Sequence, residues 1–167
     1  EWYGLLCAKL FQQRGDHNNA AKIYEDLAKK HPANVEYLYE WANALIYQNK
    51  LKESIKIFDL IEQKLGVSEE ISLQKERIYM EMKDLDGAIS ELNKLIEKDP
   101  KSAKYHGILA ELLLKKGSKE EALKEYDLVL ELDPENPYIY LSLYEYYTVE
   151  GNEAKAAEML KKAFSNN

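Results

Sequence analysis

The side chains that most often carry out chemistry are few in this sequence, and their spacing does not assemble a reaction centre. The three histidines, His17, His31 and His106, occupy unrelated places, and none belongs to the His-x-x-x-His spacing of a helical metal site. Cys7 is the only cysteine, which excludes an intrachain disulfide and a multi-thiolate metal site. We therefore expect neither a bound metal nor a cofactor.

Carboxylate pairs, glycines and the cysteine all have structural explanations. Glu69-Glu70 and Glu120-Glu121 fall where helices are expected to start, and the helix dipole stabilises negative charge there. The glycines are scattered and form no phosphate-binding loop. Cys7 is expected to be a small buried apolar side chain and not a nucleophile. Since an active site cannot be built from these parts, the chain is predicted not to be an enzyme.

The overall composition restricts the class of partner. The 167 residues carry a net charge of −7, so no basic field is available to neutralise phosphates, and nucleic acid is not expected to bind. No apolar run approaches the roughly 20 residues that span a bilayer, so direct insertion into a membrane is not expected. Hydrophobic residues make up 46% of the chain, enough for a continuous core. These values indicate a chain with a folded core and disfavour nucleic acid and bilayer lipid as partners.

The chain matches itself without a gap when it is shifted by 34 residues. Small residues recur at position 20 of each frame, and large apolar residues recur at positions 11 and 24. Position 32 holds Pro or Gly, which ends a helix, and position 34 holds Asn or Ser, which can cap the next one. Each frame is therefore predicted to be two antiparallel helices, near positions 2–14 and 17–30. The frames are 1–34, 35–68, 69–102, 103–136 and 137–167.

The expected helix caps are side chains that accept a hydrogen bond from the first free amides of a helix. Ser118 and Glu121 have the spacing of a capping box, in which each side chain reaches the backbone amide of the other. The remaining expected caps are Asp16, Asn34, Ser68, Asp84, Ser102, Asn136 and Asn152.

This pattern resembles the tetratricopeptide repeat over the whole chain. The family's turn is present as Gly15-Asp16, and its Asp-Pro ending as Asp99-Pro100 and Asp133-Pro134. The resemblance implies an all-α fold, a right-handed α-solenoid of antiparallel helix pairs, with residues 1–167 forming a single array. Both ends look like cuts in a longer array. Pentatricopeptide repeats, which bind RNA, have 35 residues and lack the proline, and the acidic charge also disfavours them.

The resemblance also implies where a partner would bind. In such arrays the first helix of each repeat lines the concave face through positions 2, 5, 9, 12 and 13, which here form an apolar groove with a polar ladder at position 9. The ladder is positive or neutral in the first three repeats and negative in the last two. An alternative for position 5 is that its side chains only pack helix against helix. The predicted groove residues are Leu5, Lys9, Tyr39, Asn43, Ile46, Tyr47, Leu73, Arg77 and Met80.

The most direct functional interpretation is a non-catalytic scaffold that binds a protein or peptide. The carboxylate clamp that some tetratricopeptide domains use for chaperone tails is not carried over, because only two of its five positions match. One alternative is the substrate-recognition arm of a larger enzyme, such as a glycosyltransferase. Another is a bacterial cell-envelope assembly factor. The compartment would be cytoplasmic, periplasmic or secreted, depending on what precedes Glu1.

Two places depart from the repeat pattern. The first helix of the third repeat has Ser72, Lys75 and Glu76 in core columns, and the fourth repeat has His106 at position 4. Glu76 either pairs with His106 or remains solvated. The last repeat is rich in tyrosine, and its tyrosines outside the core columns either pack on a following helix of a longer array or lead to self-association through the exposed side. Its tyrosines are Tyr138, Tyr140, Tyr144, Tyr146 and Tyr147.

Overall fold

The computed structural model describes residues 2–165, so Glu1, Asn166 and Asn167 of the outermost frames lie outside it. Within the described range the chain forms ten α-helices and no strand, which confirms the all-α prediction. The helices belong to two compact units, and the first unit ends at Asp84. This boundary lies inside the third frame, 69–102. One array over residues 1–167 stays a prediction.

Each predicted frame contains two helices, and their ends agree with the repeat pattern. Turns of two to four residues join them, so consecutive helices within a unit run antiparallel. The first unit contains α1 (Trp2–Gln13), α2 (His17–Lys30), α3 (Val35–Tyr47), α4 (Leu51–Leu65) and α5 (Glu69–Glu81). The second unit contains α6 (Leu85–Lys98), α7 (Ala103–Lys116), α8 (Lys119–Leu132), α9 (Pro137–Val149) and α10 (Glu153–Ser165).

The turn inside every repeat has the same left-handed residue. Position 15 has a positive φ in all five repeats, between 57° and 90°. Glycine occupies this position in three repeats, because it adopts left-handed backbone without a steric penalty. Asn49 and Lys83 fill it in the other two. A β-carbon at positive φ costs roughly 1 kcal/mol, so Lys83 is the least favourable of the five choices.

The predicted caps divide according to side-chain length. Asn34 and Asn136 each accept a hydrogen bond from a backbone amide, and so does Asp16. Ser102 has nearly the same ψ as Asn34, 99° against 98°, but its side chain makes no capping bond. The Ser118 side chain makes none either, so the predicted capping box with Glu121 is wrong.

The physical reason is the reach of the side chain. At ψ below about 100° the hydroxyl of serine, one atom shorter than the oxygen of Asn or Asp, falls short of the amides. Ser68 succeeds because its ψ is 155°, which brings its Oγ to 3.3 Å from the Ile71 amide.

Small residues let the two helices of a repeat approach closely. Ala8, Ala20, Ala42, Ala110 and Ala122 are all fully buried, as positions 8 and 20 of the repeat predict. Large side chains fill the remaining space, with Tyr24 and Phe58 buried in the first unit and Tyr126 in the second. Cys7 is half-buried, and so is more exposed than its core column predicted.

Two atypical residues of repeats three and four, Lys75 and His106, have charged or polar partners inside their own units. The buried Ser72 hydroxyl, by contrast, has no hydrogen-bond partner within residues 2–165. Lys75 on α5 is 1% exposed, and its Nζ lies 2.7 Å from both Asp59 Oδ1 and Glu62 Oε2 of α4. His106 on α7 is also buried. Its Nδ1 lies 2.6 Å from Glu125 Oε2 and its Nε2 lies 3.0 Å from the carbonyl oxygen of Pro100.

The second unit therefore supplies both ring partners of His106, and Glu76 is not needed to satisfy this ring. The reason is that position 4 of α7 faces α8, which brings Glu125 into hydrogen-bonding range. Glu76 itself is half-buried, so it is neither fully solvated nor fully removed from water.

Candidate functional site

All nine predicted groove residues lie in the first unit, on the first helices of its repeats. Leu5 and Lys9 are on α1, four residues are on α3, and the remaining three are on α5. Lys9, Asn43 and Arg77 occupy the same repeat position on successive first helices. We call these nine residues the first-helix surface.

Three members of the first-helix surface contact the interior. Leu5, Tyr39 and Ile46 pack against the core of the first unit. The Tyr39 ring meets the Phe58 ring edge-on, with 6.1 Å between centroids. Burial, and to a lesser extent the charge of Glu70, raises the pKa of Tyr39. The packing interpretation of position 5 therefore describes both Leu5 and Tyr39.

The accessible members of the first-helix surface are mainly polar or aromatic. Lys9 and Arg77 are exposed, and Tyr47 is 70% exposed. The Tyr47 ring stacks on the ring of His17, with 4.5 Å between centroids and an interplanar angle of 14°. Asn43, Leu73 and Met80 are half-buried. An exposed aromatic ring held by stacking is preorganised for contact with a partner.

A chain of hydrogen bonds connects the first two repeats next to this surface. The Tyr24 hydroxyl donates to Gln12 Oε1 at 2.8 Å, and Gln12 Nε2 donates to Glu40 Oε2 at 3.0 Å. Burial, with the charges of Glu40 and Glu36, raises the pKa of Tyr24 to about 12. Column-by-column sequence comparison did not predict this link, because it joins different repeat positions.

The second unit contains a cleft of about 460 Å³ that lies outside the predicted groove residues. Three helices, α7, α8 and α9, supply its lining together with Glu150, the residue that follows α9. Five of its ten lining residues occupy groove positions: 9, 12 and 13 of the fourth repeat and 9 and 13 of the fifth. The repeat pattern could therefore have indicated this part of the site. The lining residues include Glu111, Leu114, Lys115, Tyr126, Glu145 and Val149.

Charge and apolar surface lie side by side in this cleft. Tyr126 is buried beneath it, and burial together with Glu111 and Glu145 raises the pKa of Tyr126 to about 12. Val149 at the rim is 85% exposed. The Lys119 ammonium pairs with Glu150. The cleft thus combines an apolar lining with carboxylates close to the Tyr126 hydroxyl.

Metal-ligating side chains are dispersed within residues 2–165, where no group of three or more could hold an ion. None of the helices in this range combines the length and the apolar character needed to cross a membrane.

The sequence matches two models described as tetratricopeptide repeat, over residues 5–65 and 79–145. Protein O-mannosyl-transferase TMTC1 of Homo sapiens is 22% identical over 162 residues, which are 92% of this chain and 18% of that protein. Intraflagellar transport protein 70A of Danio rerio is 32% identical over 111 residues, 66% of this chain and 16% of that protein. The chain therefore spans less than a fifth of these relatives.

Solved structures share the fold at low sequence identity. MamA of Desulfovibrio magneticus RS-1 is 18% identical with a TM-score of 0.70, covering 98% of this chain and 93% of that one. YrrB, described as a TPR protein with an unusual peptide-binding site, is 19% identical with a TM-score of 0.66, covering 96% and 82%. These likenesses show the all-α solenoid fold that the repeat pattern predicts.

Proposed function

Because the chain belongs to the tetratricopeptide repeat family, we propose that it is a non-catalytic scaffold that binds a segment of a partner protein on its first-helix surface. Repeats of this family are protein-interaction modules, and fold alone does not name the partner. One observation carries the proposal. Each first helix of the first unit has an exposed side chain that could contact a partner, namely Lys9 on α1, Tyr47 on α3 and Arg77 on α5. Apolar side chains of α1 and α3 pack on the core of the same unit.

The ligand would be an extended segment or a helix. Lys9, Asn43 and Arg77 would orient its polar groups, and Tyr47 would supply an aromatic contact. Aromatic and arginine side chains contribute much of the energy of protein interfaces. Leu5 and Tyr39 support the surface from below, because they pack on the core of the first unit.

A selection from a random peptide library displayed on phage tests the proposal, with the full chain as bait. Peptides that share a consensus should bind the double variant Tyr47→Ala/Arg77→Ala about tenfold more weakly, as measured by fluorescence anisotropy. The structure favours Tyr47 over Tyr39 for this test, because removing Tyr39 would disturb its contact with Phe58.

The matched control is Lys56→Ala/Leu60→Ala on α4. It also removes one cation and one exposed apolar side chain, but from a second helix. Binding to this control should equal binding to the parent chain. A selection without a consensus, or an equal loss in the control, would contradict the proposal.

A recognition arm of a larger enzyme is the second candidate, and one observation favours it. The chain aligns over 92% of its length with a protein named as an O-mannosyl-transferase. The complete reading frame that encodes this chain tests the candidate. A transferase segment in frame would support the arm, whereas further repeats followed by a stop codon would support the scaffold.

A further inference from the structure

The first unit has a hydrogen-bonded bridge that the second unit lacks at the equivalent positions, and the cleft lies at this place in the second unit. In repeats one and two, Gln12 at position 12 joins Tyr24 to Glu40 through two hydrogen bonds. In repeats four and five the residues equivalent to Gln12 and Glu40 are Leu114 and Ser142. Leucine cannot form this bridge, and Ser142 hydrogen-bonds the Tyr126 hydroxyl directly without filling the space beside it. Space therefore remains above Tyr126, which is equivalent to Tyr24.

Two carboxylates of this cleft, those of Glu111 and Glu145, form no ion pair within the described residues. Glu111 lies on α7 and Glu145 on α9, and both are exposed. Both act electrostatically on the Tyr126 hydroxyl, so their negative potential extends to the buried side of the cleft. Lys119 is paired with Glu150, and Lys115 lines the cleft together with Lys119.

An occupant must satisfy both the apolar lining and the unpaired carboxylates. Leu114 and Val149 offer apolar contact, and Glu111 and Glu145 offer four acceptor oxygens. The volume of about 460 Å³ lies within the range of about 300–1,000 Å³ that binding pockets usually have. Arginine fits this combination, because its stem is apolar and its planar guanidinium donates to carboxylates in pairs.

We propose that the cleft binds a partner segment in which an arginine is flanked by apolar residues. The guanidinium donates hydrogen bonds to Glu111 and Glu145, and the flanking side chains contact Leu114 and Val149. Lys115 donates to a backbone carbonyl of the segment. This inference rests on the proposed scaffold function and adds the chemical class of a partner.

Three acetylated and amidated pentapeptides of the form Gly-Leu-X-Leu-Gly test the proposal, with arginine, citrulline or glutamate as X. Citrulline keeps the shape of arginine and removes its charge. Amide chemical shifts of the ¹⁵N-labelled full chain report where each peptide binds and its Kd. The arginine peptide should shift α7 and α9 resonances and bind at least about tenfold more tightly than the citrulline peptide. The glutamate peptide should bind no better than citrulline.

Two variants probe the two parts of the recognition. Glu111→Gln/Glu145→Gln should reduce the affinity for the arginine peptide to that for the citrulline peptide. Leu114→Gln recreates the residue of the first repeat and should weaken the binding of all three peptides, because a polar side chain replaces the apolar contact at the cleft. The control Glu131→Gln/Glu135→Gln removes the same charge from exposed positions of the second unit outside the cleft lining and should keep the preference for arginine.

Equal affinity for the arginine and citrulline peptides would overturn the proposal, and so would a preference that survives Glu111→Gln/Glu145→Gln. An absence of shifts on α7 and α9 at millimolar arginine peptide would also overturn it. If display-selected peptides still bind the first-helix surface in that case, the scaffold function stands without the cleft. If neither assay detects a ligand, both proposals fail.

Discussion

The Lys75 ammonium lies 2.7 Å from Glu62 Oε2, in a side chain that is only 1% exposed. The second carboxylate, on Asp59, is equally close but is 44% exposed. The pair joins the atypical first helix of the third repeat to the preceding helix. A buried charge is retained at low cost only when it is paired, so Lys75 depends on these acidic partners.

Neutralising the two carboxylates should therefore lower the free energy of unfolding more than removing the charge of Lys75. Asp59→Asn/Glu62→Gln leaves the ammonium buried without them and should lower the free energy of unfolding by about 3 kcal/mol. Lys75→Met removes the most deeply buried charge and leaves two carboxylates that are more accessible to solvent, so it should lower this free energy by less, about 1–2 kcal/mol. Urea denaturation measures both values. The explanation is wrong if Lys75→Met is the more destabilising change.

The reach of the capping side chain predicts the outcome of a reciprocal exchange. Ser102→Asn should create a capping bond on α7 and raise the free energy of unfolding by about 0.5–1 kcal/mol. Asn34→Ser should lose the observed bond on α3 and lower it by about the same amount. The two sites have nearly identical ψ, so each serves as the control for the other. Thermal and urea unfolding provide the values, and changes of the same sign would refute the reach argument.

The buried tyrosines predict how stability depends on alkaline pH. Folding raises the pKa of Tyr24 and Tyr126 from 10.0 to about 12. The folded state favours the neutral phenol, so this contribution is fully present below pH 10 and is lost as the pH rises towards 12. Tyr126→Phe should reduce the loss of unfolding free energy between about pH 9 and about pH 12 by about 2 kcal/mol.

Urea unfolding at the two pH values measures this difference, and comparison with the parent chain subtracts the titration of the lysines. Tyr138→Phe is the control, because this tyrosine is 76% exposed on α9. An identical pH dependence of stability in all three proteins would contradict the raised pKa of Tyr126.

Repeat periodicity predicted the helices well because it records local requirements. A small residue at position 20 and a left-handed residue at position 15 have the same cause in every repeat, and so does the helix stop at position 32 in the first four. The bridge between Gln12 and Glu40 could not be predicted in this way, because it joins different positions of two repeats. The lack of an equivalent bridge beside Tyr126 could not be predicted for the same reason.

Self-association through the last repeat stays a prediction that solution measurements can test. Tyr138 and Phe164 are 76% and 71% exposed. Tyr138→Ser/Phe164→Ser should abolish any concentration-dependent dimer in sedimentation velocity, because burial of these rings would drive association. The control Trp2→Ser/Tyr3→Ser removes two exposed aromatic residues from the first helix and should leave the dimer intact. Loss of the dimer only in the control would place the contact at the other end of the chain.

The location of a bound partner tests the central claim most directly. A benzophenone amino acid placed at Tyr47, on the first-helix surface, or at Leu60, on a second helix, can be photo-crosslinked to a display-selected peptide. The proposed function predicts a covalent adduct from position 47 and none from position 60. Adducts from position 60 alone would contradict binding on the first-helix surface.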